Sequence, residues 1–194
     1  AYTVLAAGNT VLTEEEKKLG VLLVDLGDQF SDAAVYGLGN SVMTKPFSMG
    51  GSIITASIAH VLKTTEATAD EIKKKYAHAH TGHVRDAEEI QYYGTDGRTV
   101  RTAPKKIVTD IVNKCLDEDI LIQVNRLIDA GNISNRIKAG VVFTGGAACL
   151  KGLVEFAAIG HGGEIGRVCL YQHASQGDMP RHFLDDGGAL EGDD

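Results

Sequence analysis

Two apolar runs that each end in glycine constrain this chain more than any other feature. Gly20-Val21-Leu22-Leu23-Val24-Asp25-Leu26-Gly27 and Gly140-Val141-Val142-Phe143-Thr144-Gly145-Gly146 carry β-formers with no polar alternation. That is the pattern of strands covered on both faces, as in a layered α/β fold. Glycine at the end of such a strand lets the backbone turn sharply and leaves no Cβ in the way of a flat ligand. An ordinary tight βα turn is the better account of a lone Gly-Gly. The second strand-and-glycine stretch makes a nucleotide wall the stronger reading.

The rest of the chain predicts the following order. Tyr2 to Ala7 reads as a short apolar start, Gly8-Asn9 as a turn, and Thr13 with Glu16 as the start signal for one turn of helix. The abrupt start suggests a chain entered midway. Ala33 to Tyr36 predicts a strand, Gly37 to Asn40 a hairpin turn, and Ser41 to Pro46 a strand pairing back. Ser52 is expected to cap a helix reaching Leu62, and a second, charged helix is expected over Ala69 to Ala77, after a polar break at Thr64 to Thr68. Ile90 to Tyr93 and Thr99 to Thr102 form a small hairpin about Asp96-Gly97. Pro104 precedes a helix from about Lys105 to Ala130, with one apolar face and Gly131 as its C-cap. Ala147 to Val154 is expected as helix, Arg167 to Tyr171 as a last strand, and Ala174 to Asp194 as a poorly ordered acidic tail.

Composition narrows the function classes. With 194 residues and 43% hydrophobic content, the chain can bury a sizeable core. Its 19 Lys plus Arg against 26 Asp plus Glu give a net charge of −7, which argues against nucleic acid as a main partner and against a basic membrane-binding face. No apolar run approaches the ~20 residues that span a bilayer. Cys115, Cys149 and Cys169 have no zinc spacing and read as buried thiols. His78, His80 and His83 form His-x-His-x-x-His, which no nearby carboxylate or cysteine supports as a zinc site.

An apolar strand ending in Asp-x-Gly beside a hairpin, with a distant strand ending in Gly-Gly, is the pattern of actin-fold ATPases. Taken in order, Val11-Leu12-Thr13-Glu14-Glu15-Glu16, Val24-Asp25-Leu26-Gly27, Asp32-Ala33-Ala34-Val35-Tyr36, Ala69-Asp70-Glu71-Ile72-Lys73 and Gly140 to Ala148 resemble the second half of the FtsA family of actin-like bacterial division proteins. Thr144-Gly145-Gly146-Ala147-Ala148 followed by Lys151-Gly152-Leu153 is the most specific of these words. The resemblance implies an actin-like ATPase (ribonuclease H-like) α/β lobe. Subdomain 2A would be formed by 1–50 and 105–194, with a small α+β subdomain 2B inserted at 51–104.

It further implies ATP and magnesium held between two lobes. Gly145, Gly146 and Ala147 would lie against adenosine, and Asp70, Lys73 and Lys74 would approach base and ribose. Asp25, Gly27 and Ser31 would face the phosphates, Asp25 through water to the metal. The expected role is a scaffold that links FtsZ filaments to the cytoplasmic face of the inner membrane, recruits division proteins and self-associates into filaments. The FtsZ C-terminal tail would dock near Arg98, Arg101, Lys105 and Lys106. Cations at 105 and 106 sit in a first helical turn, where the macrodipole disfavours each by ~0.3–1 kcal/mol, so binding rather than helix stability is expected to account for them. The membrane-binding helix and the other lobe of such proteins are expected to lie outside this chain.

The phosphate stretch departs from the family's Asp-x-Gly-Gly-Gly-Thr-x-Asp. Here it reads Asp25-Leu26-Gly27-Asp28-Gln29-Phe30-Ser31-Asp32. Asp28 beside a triphosphate costs about 1–4 kcal/mol at ~4 Å, so a weak ATPase at most is expected, and weak ATP binding by this chain alone. Another actin-fold ATPase, of pilus-assembly or chaperone type, and a nucleotide-free relative used for partner docking are the alternatives.

Overall fold

The computed structural model describes residues 2–79, 87–159, 167–170 and 182–185. The two glycine-terminated runs become neighbouring parallel strands, β1 (Val21–Leu26) and β6 (Val141–Thr144). β2 (Ser31–Gly37) and β3 (Asn40–Phe47) extend β1 as an antiparallel meander, while β7 (Arg167–Leu170) runs parallel to β6 and β8 (His182–Asp185) antiparallel to β7. The order is β3-β2-β1-β6-β7-β8. A separate ribbon pairs β4 (Glu89–Tyr93) with β5 (Val100–Pro104).

Both faces of β1 are covered, because successive side chains point to opposite sides. Val21 and Leu23 pack with Val4, Val11, Tyr36 and Val142 beneath α1 (Tyr2–Val11). Leu22, Val24 and Leu26 face α3 (Gly51–Leu62), α5 (Lys105–Cys115) and α6 (Ile122–Gly131), with Val141 and Phe143 from β6. Thr13 and Glu16 form the expected capping box of α2 (Glu14–Leu19). The Thr13 amide donates to Glu16 Oε2 at 2.7 Å and the Glu16 amide to Thr13 Oγ1 at 3.2 Å.

Several expectations are corrected. α1 runs through Gly8-Asn9, where a turn was expected; the missing Cβ at Gly8 is what lets the helix lie against Tyr36. α3 is not capped by Ser52. The Gly51 amide donates to the Gly27 carbonyl at 2.9 Å and the Ser52 amide to the Asp28 carbonyl at 2.8 Å. α4 (Glu66–Tyr76) starts within the presumed polar break, because Thr65 caps it by accepting from the Thr68 amide at 3.2 Å. Ala147 to Val154 is not one helix: a 3-10 turn, Gly146–Cys149, precedes α7 (Leu153–Ile159). α6 ends one residue later than read, with Asn132 rather than Gly131 in the left-handed cap position at φ 47°. Within the presumed tail, His182–Asp185 is β8. The remainder of 174–194, together with Tyr171, His80 and His83, lies outside the described residues.

The long helix is interrupted by a π-helical turn, Leu116–Leu121. The reason is in the buried positions: 108, 111, 112, 115 and 116 are followed by 120, 121, 124, 127 and 128. A regular α-helix would present 119 and 120 next, so the apolar stripe slips by one residue, and the wider π turn absorbs the slip.

Candidate functional site

The carboxyl ends of β1 and β6 open onto a cavity of about 1120 Å³, bounded by the start of α3, one face of α4 and the turn from Gly146 to Lys151. A crevice at this end of parallel strands is where ligands of open α/β sheets lie. Gly145 has φ +94°, and a Cβ there would strike the Asp25 carboxylate, so strain and packing both require glycine. Gly146 differs. A Cβ there would meet no protein atom within 4 Å, which leaves that face open to the cavity.

Charges converge from α4. The Lys73 ammonium donates to Thr55 Oγ1 at 2.6 Å and to the Gly51 carbonyl at 3.2 Å, and pairs with Asp70 at 3.3 Å. Asp70 also pairs with Lys74 at 2.6 Å. Bonding from Lys74, then from Lys73, holds the Asp70 carboxyl below the usual range, and Asp70 in turn raises Lys74, with a smaller contribution from Asp28.

Of the residues expected to contact nucleotide, Asp70, Lys73, Lys74, Gly146 and Ala147 line this cavity. Asp25, Gly27, Ser31 and Gly145 are not among its lining residues. The Gly27 carbonyl caps α3, the Ser31 hydroxyl donates to the Met49 carbonyl at 2.7 Å, and Asp25 stands opposite Asp32 across β1 and β2. Burial, then the Asp32 charge, pushes the Asp25 carboxyl up. Among the described residues no three His, Cys, Asp or Glu side chains are grouped to hold a metal. Thr55, Glu66 and Lys151 also line the cavity and were not foreseen. Met49-Gly50-Gly51 before a helix was the signal available for that wall: a Cβ at Gly50 would collide with the Asp28 carbonyl.

The basic cluster is divided. Arg98 and Arg101 are exposed on the β4–β5 ribbon, next to the cross-strand pair Tyr93 and Val100, which are 54% and 58% exposed. Asp96 forms the turn, its carboxyl lowered to about 2 by bonds from the Thr99 side chain and the Thr99 and Arg98 amides. Lys105 is engaged within the protein: its ammonium pairs with Glu88 at 2.7 Å and its amide donates to the Glu88 carbonyl at 2.8 Å. Glu88 thus offsets the helix-start penalty without any partner.

The family model of the cell division protein FtsA matches residues 22–161. FtsA of Neisseria meningitidis serogroup B is 35% identical over 153 residues, covering 79% of this chain and 37% of that protein. FtsA of Escherichia coli strain K12 is 31% identical over 160 residues, covering 79% of this chain and 38% of that protein. The chain therefore spans well under half the length of these relatives. Among solved structures, MreB5 of Spiroplasma citri bound to AMPPNP superposes with a TM-score of 0.65 at 16% identity, covering 87% of this chain and 52% of that one. The same protein bound to ADP gives 0.63 at 17% identity, covering 80% and 50%. The fold is that of the actin-like ATPases, and the family match extends over more than half of the residues: the chain belongs to the FtsA family of cell division proteins.

Proposed function

We propose that this chain is one lobe of an actin-like division scaffold that holds an adenine nucleotide between itself and a second lobe. One observation carries the reading. The cavity at the ends of β1 and β6 has an open glycine face at Gly146, and Asp70, Lys73 and Lys74 line it as well. MreB5, which shares the fold, is bound to AMPPNP in one structure and to ADP in another, which supports an adenine nucleotide as the ligand. Gly146 and Ala147 would receive the base, and Asp70 and Lys74 the ribose; Asp25, which does not line the cavity, does not fit a magnesium site there. In this reading 1–50 and 105–194 form subdomain 2A and 51–104 subdomain 2B.

The scaffold would link FtsZ filaments to the membrane. The FtsZ tail would dock where Arg98 and Arg101 flank exposed Tyr93 and Val100, since an acidic and apolar peptide needs both kinds of contact. Gly146→Val in the full-length protein tests the nucleotide reading, because a Cβ there would meet no protein atom within 4 Å and the residue lines the cavity. A fluorescent adenine nucleotide is expected to bind the variant at least tenfold more weakly with the fold intact. Unchanged affinity would move the nucleotide elsewhere.

A further inference from the structure

Resting on that reading, we infer that the cavity holds the nucleoside part of its ligand and opposes the polyphosphate part. An adenine nucleoside or monophosphate is therefore bound by this lobe at least as well as the triphosphate. Phosphate sites in α/β folds work by aiming unused amides, often at a helix N-terminus, toward the anion. Here the first two amides of α3 are already spent on the carbonyls of Gly27 and Asp28, at 2.9 and 2.8 Å. The loop that carries those carbonyls also places Asp28 on the cavity wall, close enough to act on Lys74.

The cations do not compensate. Lys73, Lys74 and Lys151 line the cavity against Asp28, Glu66 and Asp70, so the lining has no net charge. Lys73 makes three contacts within the protein and Lys74 is held by Asp70. Lys151, which makes no ion pair among the described residues, lies two residues beyond the Gly146–Cys149 turn, on the side of the cavity assigned to the base. A base and ribose meet an open glycine face and paired polar groups. Added phosphates meet a carboxylate and carbonyl oxygens.

The test is the ratio of ATP to adenosine affinity in the full-length protein, measured by calorimetry without divalent cations. ATP is expected to bind no tighter than adenosine. Asp28→Asn is expected to raise the ATP-to-adenosine ratio about tenfold, which matches loss of one partly screened repulsion. Asp28→Gly should move the ratio in the same direction, which guards against a side-chain artefact of the first variant. ATP bound tenfold or more tighter than adenosine by the parent protein overturns the inference, as does a ratio that neither variant changes. If neither ligand binds at all, the nucleotide reading itself has failed, and this inference falls with it.

Discussion

The hydroxyl end of Tyr36 occupies the space that a Cβ on Gly8 would need. Tyr36 is only 5% exposed, so the ring has little room to withdraw. Glycine within a helix costs about 1 kcal/mol relative to alanine, and here close packing of α1 on β2 offsets it. Gly8→Ala is therefore expected to lower stability by about 1–2 kcal/mol despite its better propensity, since overpacking outweighs the helix gain. Urea unfolding checks this, and a variant more stable than the parent protein would show that the ring yields freely.

Lys73 joins two helices of the cavity wall. Lys73→Met keeps the aliphatic stem and removes the bonds to Thr55, Gly51 and Asp70. The expected loss is about 1.5–3 kcal/mol, the usual scale for hydrogen bonds to charged groups. Hydrogen exchange should show α3 and α4 deprotected while the amides of β1 are not.

Asp25 gives a pH dependence of definite sign. Its folded carboxyl is raised by burial and by Asp32, above the 3.8 of the unfolded chain. The folded state thus holds the proton more tightly, and stability falls as pH rises from that value through the raised one. Asp25→Asn is expected to stabilise the protein at neutral pH and to make no difference near pH ~3, below both values. Equal effects at both pH values would assign the gain to packing instead.

The π turn predicts an asymmetry between two single-residue deletions. Removing Glu118 leaves the apolar residues at regular three- and four-residue spacing, so a plain α-helix can span the same ends at a cost below about 1 kcal/mol. Removing Gln123 turns Val124, Leu127 and Ile128 by about 100° out of the core and should cost about 3 kcal/mol or more. Thermal melts of the two deletions decide it.

Arg98→Glu with Arg101→Glu is expected to weaken binding of the FtsZ tail to the full-length protein at least tenfold, and rising salt should weaken the parent complex. Lys105→Glu should act mainly through stability, because it breaks the pair with Glu88. Undiminished tail binding by the double reversal at low salt would place the docking site elsewhere.

The elements legible in the sequence are those whose cause is local. β1 and β6 need only their own apolar residues, and the Thr13–Glu16 box is complete within four positions. What escaped has distant causes. The run of α1 through Gly8-Asn9 depends on Tyr36, the cap of α3 on the carbonyls of residues 27 and 28, and the quiet role of Lys105 on Glu88. The cavity showed itself as glycines and lysines. That Lys73 would be spent on Thr55 and Gly51 depends on how α3 and α4 pack.

α3 is fastened at both ends by different parts of the chain. Its first amides hold residues 27 and 28, and its C-terminal end is tied to the β4–β5 ribbon: the Tyr92 hydroxyl donates to the Leu62 carbonyl at 3.2 Å, and Thr64 Oγ1, two residues past the helix, donates to the Tyr93 carbonyl at 2.5 Å. Twelve residues at 1.5 Å each make a stiff strut of about 18 Å between the cavity and the hairpin that carries Arg98 and Arg101. A strut pinned at both ends transmits displacement instead of absorbing it. The separation of the cavity loop from the ribbon is therefore set by one rigid member.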